Sequence, residues 1–157
     1  MIKVWGNLYI GGEKACFHNE PPGWAVIHAC KNPCHAMAVG YSGSLPSSHP
    51  NYLQLRRGSH IYLNLIDPPT PLFQPASFQY ALDFIDEYIG SRKVLIHCNK
   101  AFSRAPSIAL LYLAKRAKAI RDTSYAAAFE DFRRLCHGYM PGEGIQTFFT
   151  ENWESLR

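Results

Sequence analysis

The segment CNKAFSR begins with Cys98 and ends with Arg104, so five residues separate a thiol from a guanidinium group. An apolar, strand-forming run, KVLIH at 93–97, ends directly before the cysteine, and the helix-forming run APSIALLYLAKRAKAI follows the arginine. A loop between a strand and a helix N-terminus gathers unpaired backbone N–H groups, and the helix dipole adds about half a positive charge there. We therefore expect the loop over 98–104 to bind an anion.

The residue types at the two ends of this loop suit the chemistry of phosphate esters. The N–H groups around Cys98 would stabilise a thiolate, which is the nucleophilic form of cysteine. Arg104 offers a planar fork of donors that matches two non-bridging phosphate oxygens, a fit that lysine lacks. The sequence thus predicts Cys98 as nucleophile and a phosphate cradle formed by Cys98, Asn99, Lys100, Ala101, Phe102, Ser103 and Arg104.

Asp67 is the candidate for a general acid. A phosphate ester needs a proton on its leaving oxygen as that oxygen departs. Asp67 ends the apolar run HIYLNLID at 60–67 and precedes Pro68, Pro69 and Pro71, which place it on a loop. An Asp before proline more commonly caps a turn, and this structural interpretation stays open.

The segment HCNKAFSR resembles the signature of the protein tyrosine phosphatase superfamily, a Cys and an Arg separated by five residues between a strand and a helix. The short chain is similar to the compact dual-specificity branch, which has segments like LYIGG, LNLIDPP, FQYALDFIDEYIG and FRRLCHGYMPGEGIQTFF in this order. The resemblance implies double displacement through a cysteinyl-phosphate, without a metal or cofactor. It also implies a phosphorylated protein or peptide as substrate, and phosphate, sulfate or vanadate as loop ligands.

Two loop positions depart from this family. Ala101 stands where the family usually has Gly, which predicts a strained backbone. Ala105 stands where the family usually has Ser or Thr, whose hydroxyl helps the thiolate leave, so we expect slow breakdown of the intermediate. Ser103 and Ser107 offer other hydroxyls whose directions the sequence leaves open. We interpret His97 as structural support that hydrogen-bonds to the loop backbone.

Other functions compete with a protein phosphatase. A non-catalytic phosphate-binding module would explain both alanines. An RNA 5′-triphosphatase loop shares the position of Phe102, although it also contains a Gly that is absent here, and a sulfur-transfer domain would not need Asp67. The segment HACKNPCH contains His28, Cys30, Cys34 and His35, which are residue types that bind zinc. No second paired cluster follows at a suitable distance, so we predict no metal.

The elements that must position these residues alternate between strands and helices. Apolar patterns predict a hairpin with strands at 2–5 and 8–10, buried strands at 24–29, 60–67 and 93–97, and helices at 78–89, 105–120, 125–135 and 145–153. Asp122 and Thr123 are the candidate caps of the third helix, and 41–50 reads as an exposed loop. This order predicts an α/β fold with a mainly parallel, twisted central sheet flanked by helices.

Composition limits the remaining possibilities. The 157 residues are 47% hydrophobic, which predicts one domain over 1–157. No run approaches the roughly 20 apolar residues that span a bilayer, so we expect a soluble, cytoplasmic protein. The net charge of +4 comes from dispersed basic residues, and charge alone therefore does not predict a nucleic-acid partner. Five scattered cysteines favour reduced thiols, and pairing of Cys30, Cys34 or Cys136 with the nucleophile stays open.

Overall fold

The computed structural model describes residues 1–15 and 21–157. Within them, six strands form one sheet in the order β1-β2-β6-β3-β5-β4. The strands are β1 (Ile2–Trp5), β2 (Leu8–Gly11), β3 (Ala25–His28), β4 (Gln54–Arg57), β5 (His60–Leu63) and β6 (Val94–His97). The four inner strands are parallel, and β1 and β4 pair antiparallel at the two edges. The predicted α/β fold with a mainly parallel sheet is confirmed.

Helices flank this sheet. The α-helices are α1 (Ala36–Val39), α2 (Pro75–Tyr88), α3 (Arg104–Lys115), α4 (Tyr125–Leu135) and α5 (Glu143–Asn152), joined by a 3₁₀ turn at Glu13–Ala15 and a π-helical turn at Lys31–His35. All residues of β3 and β6 are buried. Helices α2 and α3 pack against the sheet, and on it Val26 and Leu95 form a separate cluster with Tyr9 and Trp24. No helix of the described residues is long and apolar enough to cross a membrane.

Helix α3 fixes the position of the cysteine loop. It begins at Arg104, and its residues from Ala105 through Ala114 are all buried. The helix ends at Lys115, earlier than its apolar run predicted, because Lys118 has a left-handed backbone (φ +52°) that cannot continue a helix. The loop is therefore held between a buried strand and a buried helix.

Two other sequence predictions need correction. The strand expected over 60–67 leaves the sheet after Leu63, so that Asp67 lies on a loop rather than directly at a strand end. Strand β4 was not predicted, because its sequence QLRR at a sheet edge is polar and largely exposed. The segment 41–50 is mostly exposed, as expected.

The four described cysteines at positions 30, 34, 98 and 136 are buried, and no disulfide joins them to one another. Cys16 lies outside the described residues. The predicted hairpin is present, with Gly6 at φ +47° in its turn, where a side chain would be strained.

The N-cap of α4 is Ser124, whose Oγ accepts a hydrogen bond from the Ala127 amide at 3.0 Å, so the predicted caps Asp122 and Thr123 are wrong. We predict that Ser124→Ala lowers the free energy of unfolding by about 1 kcal/mol, because the Ala127 amide loses its acceptor. Urea denaturation measures this change, and Thr123→Ala, as the control, should stay within about 0.5 kcal/mol of wild type. Equal losses in both variants would contradict the assignment.

Candidate active site

The cysteine loop is anchored at the carboxyl end of the sheet. The Cys98 amide donates to the Gly11 carbonyl at 3.2 Å, and the Glu13 amide donates to the Asn99 carbonyl at 3.2 Å. On the far side of the loop, the Ala105 amide in the first turn of α3 lies 3.5 Å from Cys98 Sγ. A helix N-terminus therefore points at the sulfur, an arrangement that stabilises a thiolate.

Arg104 lies across the mouth of this loop. Its Nη1 donates to the Leu65 carbonyl at 2.9 Å, and its Nη2 donates to Asn99 Oδ1 at 2.6 Å. The Nε atom is buried and has no hydrogen-bond partner in the described part of the chain. An unsatisfied buried donor costs about 1–3 kcal/mol, more when it is charged. The guanidinium is thus held in place while one donor remains available to an anion.

One cavity of about 350 Å³ brings most of the predicted residues together. Its walls are Asp67, Cys98, Asn99, Lys100, Phe102, Ser103 and Arg104. The Cys98 side chain is only 2% exposed, so this cavity is its access to solvent. Thiol, guanidinium and carboxylate therefore surround a space large enough for a phosphoryl group. Ala101 and Ser107 do not line it.

Asp67 is exposed, and its carboxylate lies against Gly142, the residue before α5. A Cβ atom at Gly142 would lie 2.3 Å from Asp67 Oδ1. The carboxylate forms no hydrogen bond or ion pair with another described residue, so packing defines its position. It is accessible for proton transfer to a ligand in the cavity.

Neither nearby serine takes the place of the hydroxyl that Ala105 lacks. Ser103 Oγ accepts a hydrogen bond from the Gly142 amide at 2.9 Å, and Ser107 Oγ bonds to the Tyr139 hydroxyl at 2.9 Å. Within the described residues, the sulfur of Cys98 receives no hydroxyl hydrogen bond. Ala105 itself is fully buried beside the sulfur.

His97 supports the loop in a different way from the one the sequence suggested. Its Nε2 lies 2.7 Å from His28 Nδ1, and His28 Nε2 lies 2.9 Å from His60 Nδ1. His97 Nδ1 has no hydrogen-bond partner among the described residues, so the predicted bond from this ring to the loop backbone is wrong. Three imidazoles instead form a chain behind the loop, and the His97 carbonyl accepts from the Ala29 amide at 2.9 Å.

His28, Cys34 and His97 place ligand-type atoms within 4.8 Å of one another. The 2.7 Å between the two imidazole nitrogens is shorter than the roughly 3.3 Å expected between two nitrogens on one tetrahedral zinc with bonds of about 2.0–2.1 Å. This spacing favours a shared proton over a shared metal. His35 is not part of the cluster, because its Nε2 lies 2.9 Å from the Asn51 carbonyl oxygen. Of the four residues of the zinc hypothesis, the structure therefore keeps His28, Cys30 and Cys34 near one another and places His35 apart from them.

Cys30 lies at the end of β3, close to this cluster. A side-chain hydrogen bond with Cys34 is the main cause that lowers the pKa of Cys30 to about 7. Burial acts in the opposite direction, and the nearby Arg104 guanidinium adds to the lowering. A second ionisable thiol thus lies near the cysteine loop.

No protein-family model matches the chain. Human DUSP28 superposes with a TM-score of 0.68 at 14% identity, over 99% of this chain and 97% of that chain. The human tyrosine phosphatase-like serine/threonine/tyrosine-interacting protein gives a TM-score of 0.66 at 20% identity, over 98% and 95%. A mouse dual-specificity phosphatase crystallised with zinc tungstate gives 0.64 at 14% identity, over 98% and 86%. This chain has the fold of the small dual-specificity phosphatases.

Within the dual-specificity phosphatase fold, sequence reasoning missed three contacts at the site. These are the Leu65 carbonyl that accepts from Arg104, the Asn99 amide group that orients the same guanidinium, and the segment 140–144 that lies against Asp67. The sequence offered one signal for the contact with Asp67. Gly142 and Gly144, separated by a single residue, stand at a helix start although glycine is a poor helix former.

Ala101 has the strained backbone that its place in the loop predicted, with φ +65°. We predict that Ala101→Gly raises the free energy of unfolding by about 0.5–1 kcal/mol, because glycine adopts the left-handed region without the Cβ clash. The matched control, Ala126→Gly in α4, should lower it by about 1 kcal/mol. Urea denaturation compares the two, and a loss in Ala101→Gly as large as in the control would contradict the strain.

Proposed function

We propose that this protein is a cysteine-dependent phosphatase that hydrolyses phosphomonoesters through a cysteinyl-phosphate intermediate. The single observation that carries the proposal is the shared cavity, in which Cys98, Arg104 and Asp67 face one space. The sulfur lies at a helix N-terminus, and the arginine keeps a buried, unpartnered Nε donor for an anion. No step requires a metal or a cofactor.

In the first step, the Cys98 thiolate attacks phosphorus and the bond from phosphorus to the leaving oxygen breaks. Asp67, as the carboxylic acid, gives its proton to that oxygen. Arg104 and the loop amides bind the phosphoryl oxygens, whose charge they stabilise in the transition state. The products of this step are the free alcohol or phenol and the cysteinyl-phosphate.

In the second step, the Asp67 carboxylate takes a proton from a water molecule that attacks phosphorus. The bond from sulfur to phosphorus breaks, which returns Cys98 to the thiolate and releases inorganic phosphate. The Ala105 amide, 3.5 Å from the sulfur, stabilises the departing thiolate. Vanadate, phosphate and sulfate would occupy the same cradle as inhibitors.

We propose phosphorylated proteins or peptides as substrates, with phosphotyrosine first and phosphoserine and phosphothreonine as further candidates. The walls of a second groove of about 520 Å³ include Leu65 and Ile66, which precede Asp67 in the chain, and this groove supports an extended substrate over a small molecule. Its walls combine polar and apolar side chains, including Lys31, Asn64, Ile66, Leu72 and Phe73. Such a surface suits residues that flank a phosphorylated side chain.

A phosphate-binding module is the second candidate, and the buried methyl group of Ala105 favours it. Loss of the hydroxyl at this position weakens the second step while leaving the cradle intact. The name of one protein with this fold describes it as a phosphatase-like interacting protein, which fits a binding role.

Hydrolysis of p-nitrophenyl phosphate in reducing, chelator-containing buffer tests the leading proposal. We predict that Cys98→Ser abolishes activity and that Asp67→Asn lowers kcat/KM by about 10²-fold or more, because kcat/KM reports the first step, in which the leaving oxygen loses its proton donor. Glu151→Gln, an exposed carboxylate on α5, is the control. Wild-type activity no higher than that of Cys98→Ser would contradict the phosphatase proposal and favour the phosphate-binding module.

We predict that the intermediate accumulates in the wild type, which stopped-flow measurement would detect as a burst of p-nitrophenol before a slower steady state. Ala105→Ser should raise the steady-state rate by about tenfold, because a hydrogen bond to a charged group contributes about 1.5–3 kcal/mol. The rate of the first turnover is the internal control and should not change. A wild type without a burst would contradict this prediction.

A further inference from the structure

One short segment, residues 140–144, runs from the loop before α5 into the first turn of that helix and contacts both loops of the site; we call it the strap. On one side it is bonded to the cysteine loop. The Met140 amide donates to the Phe102 carbonyl at 2.8 Å, and the Gly142 amide donates to Ser103 Oγ at 2.9 Å. Two hydrogen bonds therefore fix the strap to the last residues before Arg104.

On its other side, the strap packs against the loop that carries Asp67. A Cβ atom at Gly142 would lie 2.3 Å from Asp67 Oδ1 and 3.1 Å from its Cγ. A Cβ atom at Gly144 would lie 2.3 Å from the carbonyl oxygens of Pro68 and Thr70. Both positions admit only glycine at this approach, because real Cβ atoms do not come within 3.0 Å of such neighbours.

Space, not backbone conformation, explains the glycine at position 142. Its φ of −63° and ψ of 157° are open to any residue. The exposed Asp67 side chain has no hydrogen bond among the described residues, so without this contact its rotamers would be free to exchange. Close packing against Gly142 removes part of that freedom and holds the carboxylate at the cavity wall.

We infer that the strap positions Asp67 relative to Cys98, with Gly142 as the positioning residue. This inference rests on the proposed function, in which Asp67 is the general acid. One short segment is hydrogen-bonded to the nucleophile loop and packed against the acid loop, so the same backbone sets the positions of both loops. The acid is thus placed before substrate binds.

Gly142→Ala is the sharpest variant, because its methyl group meets the far end of a flexible side chain and not a backbone atom. The protein tolerates the change by turning Asp67 away, whereas Gly144→Ala would push on two backbone carbonyls. Gly138→Ala is the matched control, since a Cβ atom there has no neighbour within 4 Å.

The experiment compares two substrates that differ in their need for a proton. We expect Gly142→Ala to lower kcat/KM for phenyl phosphate by about 10- to 100-fold, because misplacement of a catalytic group by about 1 Å costs up to about 10²-fold. With 2,4-dinitrophenyl phosphate, whose leaving oxygen departs without protonation, kcat/KM should stay within about twofold of wild type. Gly138→Ala should leave both rates unchanged. Asp67→Asn should also lower kcat/KM selectively for phenyl phosphate. Adding Gly142→Ala to Asp67→Asn should lower this kcat/KM no further.

An equal loss with both substrates would mean a damaged cradle and would overturn the inference, as would no loss with either. Wild-type activity no higher than that of Cys98→Ser would refute the proposed function alone. Crystal structures of Gly142→Ala and Gly138→Ala then decide on the strap. An Asp67 carboxylate displaced only in Gly142→Ala supports the positioning role, and a carboxylate that has not moved overturns it.

Discussion

The parallel pairing of β6 between β2 and β3 is the constraint on which the site depends. Parallel strands bring their carboxyl ends to one edge of a sheet, and the connections that follow them meet there. The buried strand ends of β3 and β6 therefore deliver Cys30 and Cys98 to the same edge. Because α3 is buried along its length, its N-terminus has a fixed direction, and that direction is toward the sulfur.

A single backbone carbonyl joins the loops at this edge. The Leu65 carbonyl, on the loop after β5, accepts from Arg104 Nη1 at 2.9 Å and from the Lys31 amide at 2.8 Å. It thereby links the connections that follow β3, β5 and β6. The Asn99 amide group then orients the other arm of the guanidinium at 2.6 Å. Arg104 is held by the folded backbone itself, so an anion meets a donor that is already oriented.

Sequence reasoning succeeded where the signal was local. Consecutive residues around Cys98 predict the order of strand, loop and helix. The strain at Ala101 is local as well, because it follows from a side chain at a turn position with a positive φ. It failed where distant segments meet. The pairing of His97 with His28 and the contact of Gly142 with Asp67 depend on tertiary packing that no short pattern encodes. The cap of α4 failed for another reason, because three adjacent residues could each cap and only the final backbone geometry selects Ser124.

The two alanines in the loop act on different parts of the proposed reaction. The left-handed backbone of Ala101 raises the energy of the folded loop, with or without a ligand. Ala105 has a buried methyl group in place of a hydroxyl. In the proposed reaction, such a hydroxyl would donate a hydrogen bond to the thiolate as it leaves phosphorus. In the proposed mechanism, phosphate binding and the first displacement use backbone amides, Arg104 and Asp67, and neither alanine side chain lines the cavity that these residues share. In the proposed reaction, the balance of rates would therefore shift toward the cysteinyl-phosphate, and the protein would spend much of each cycle in that covalent form.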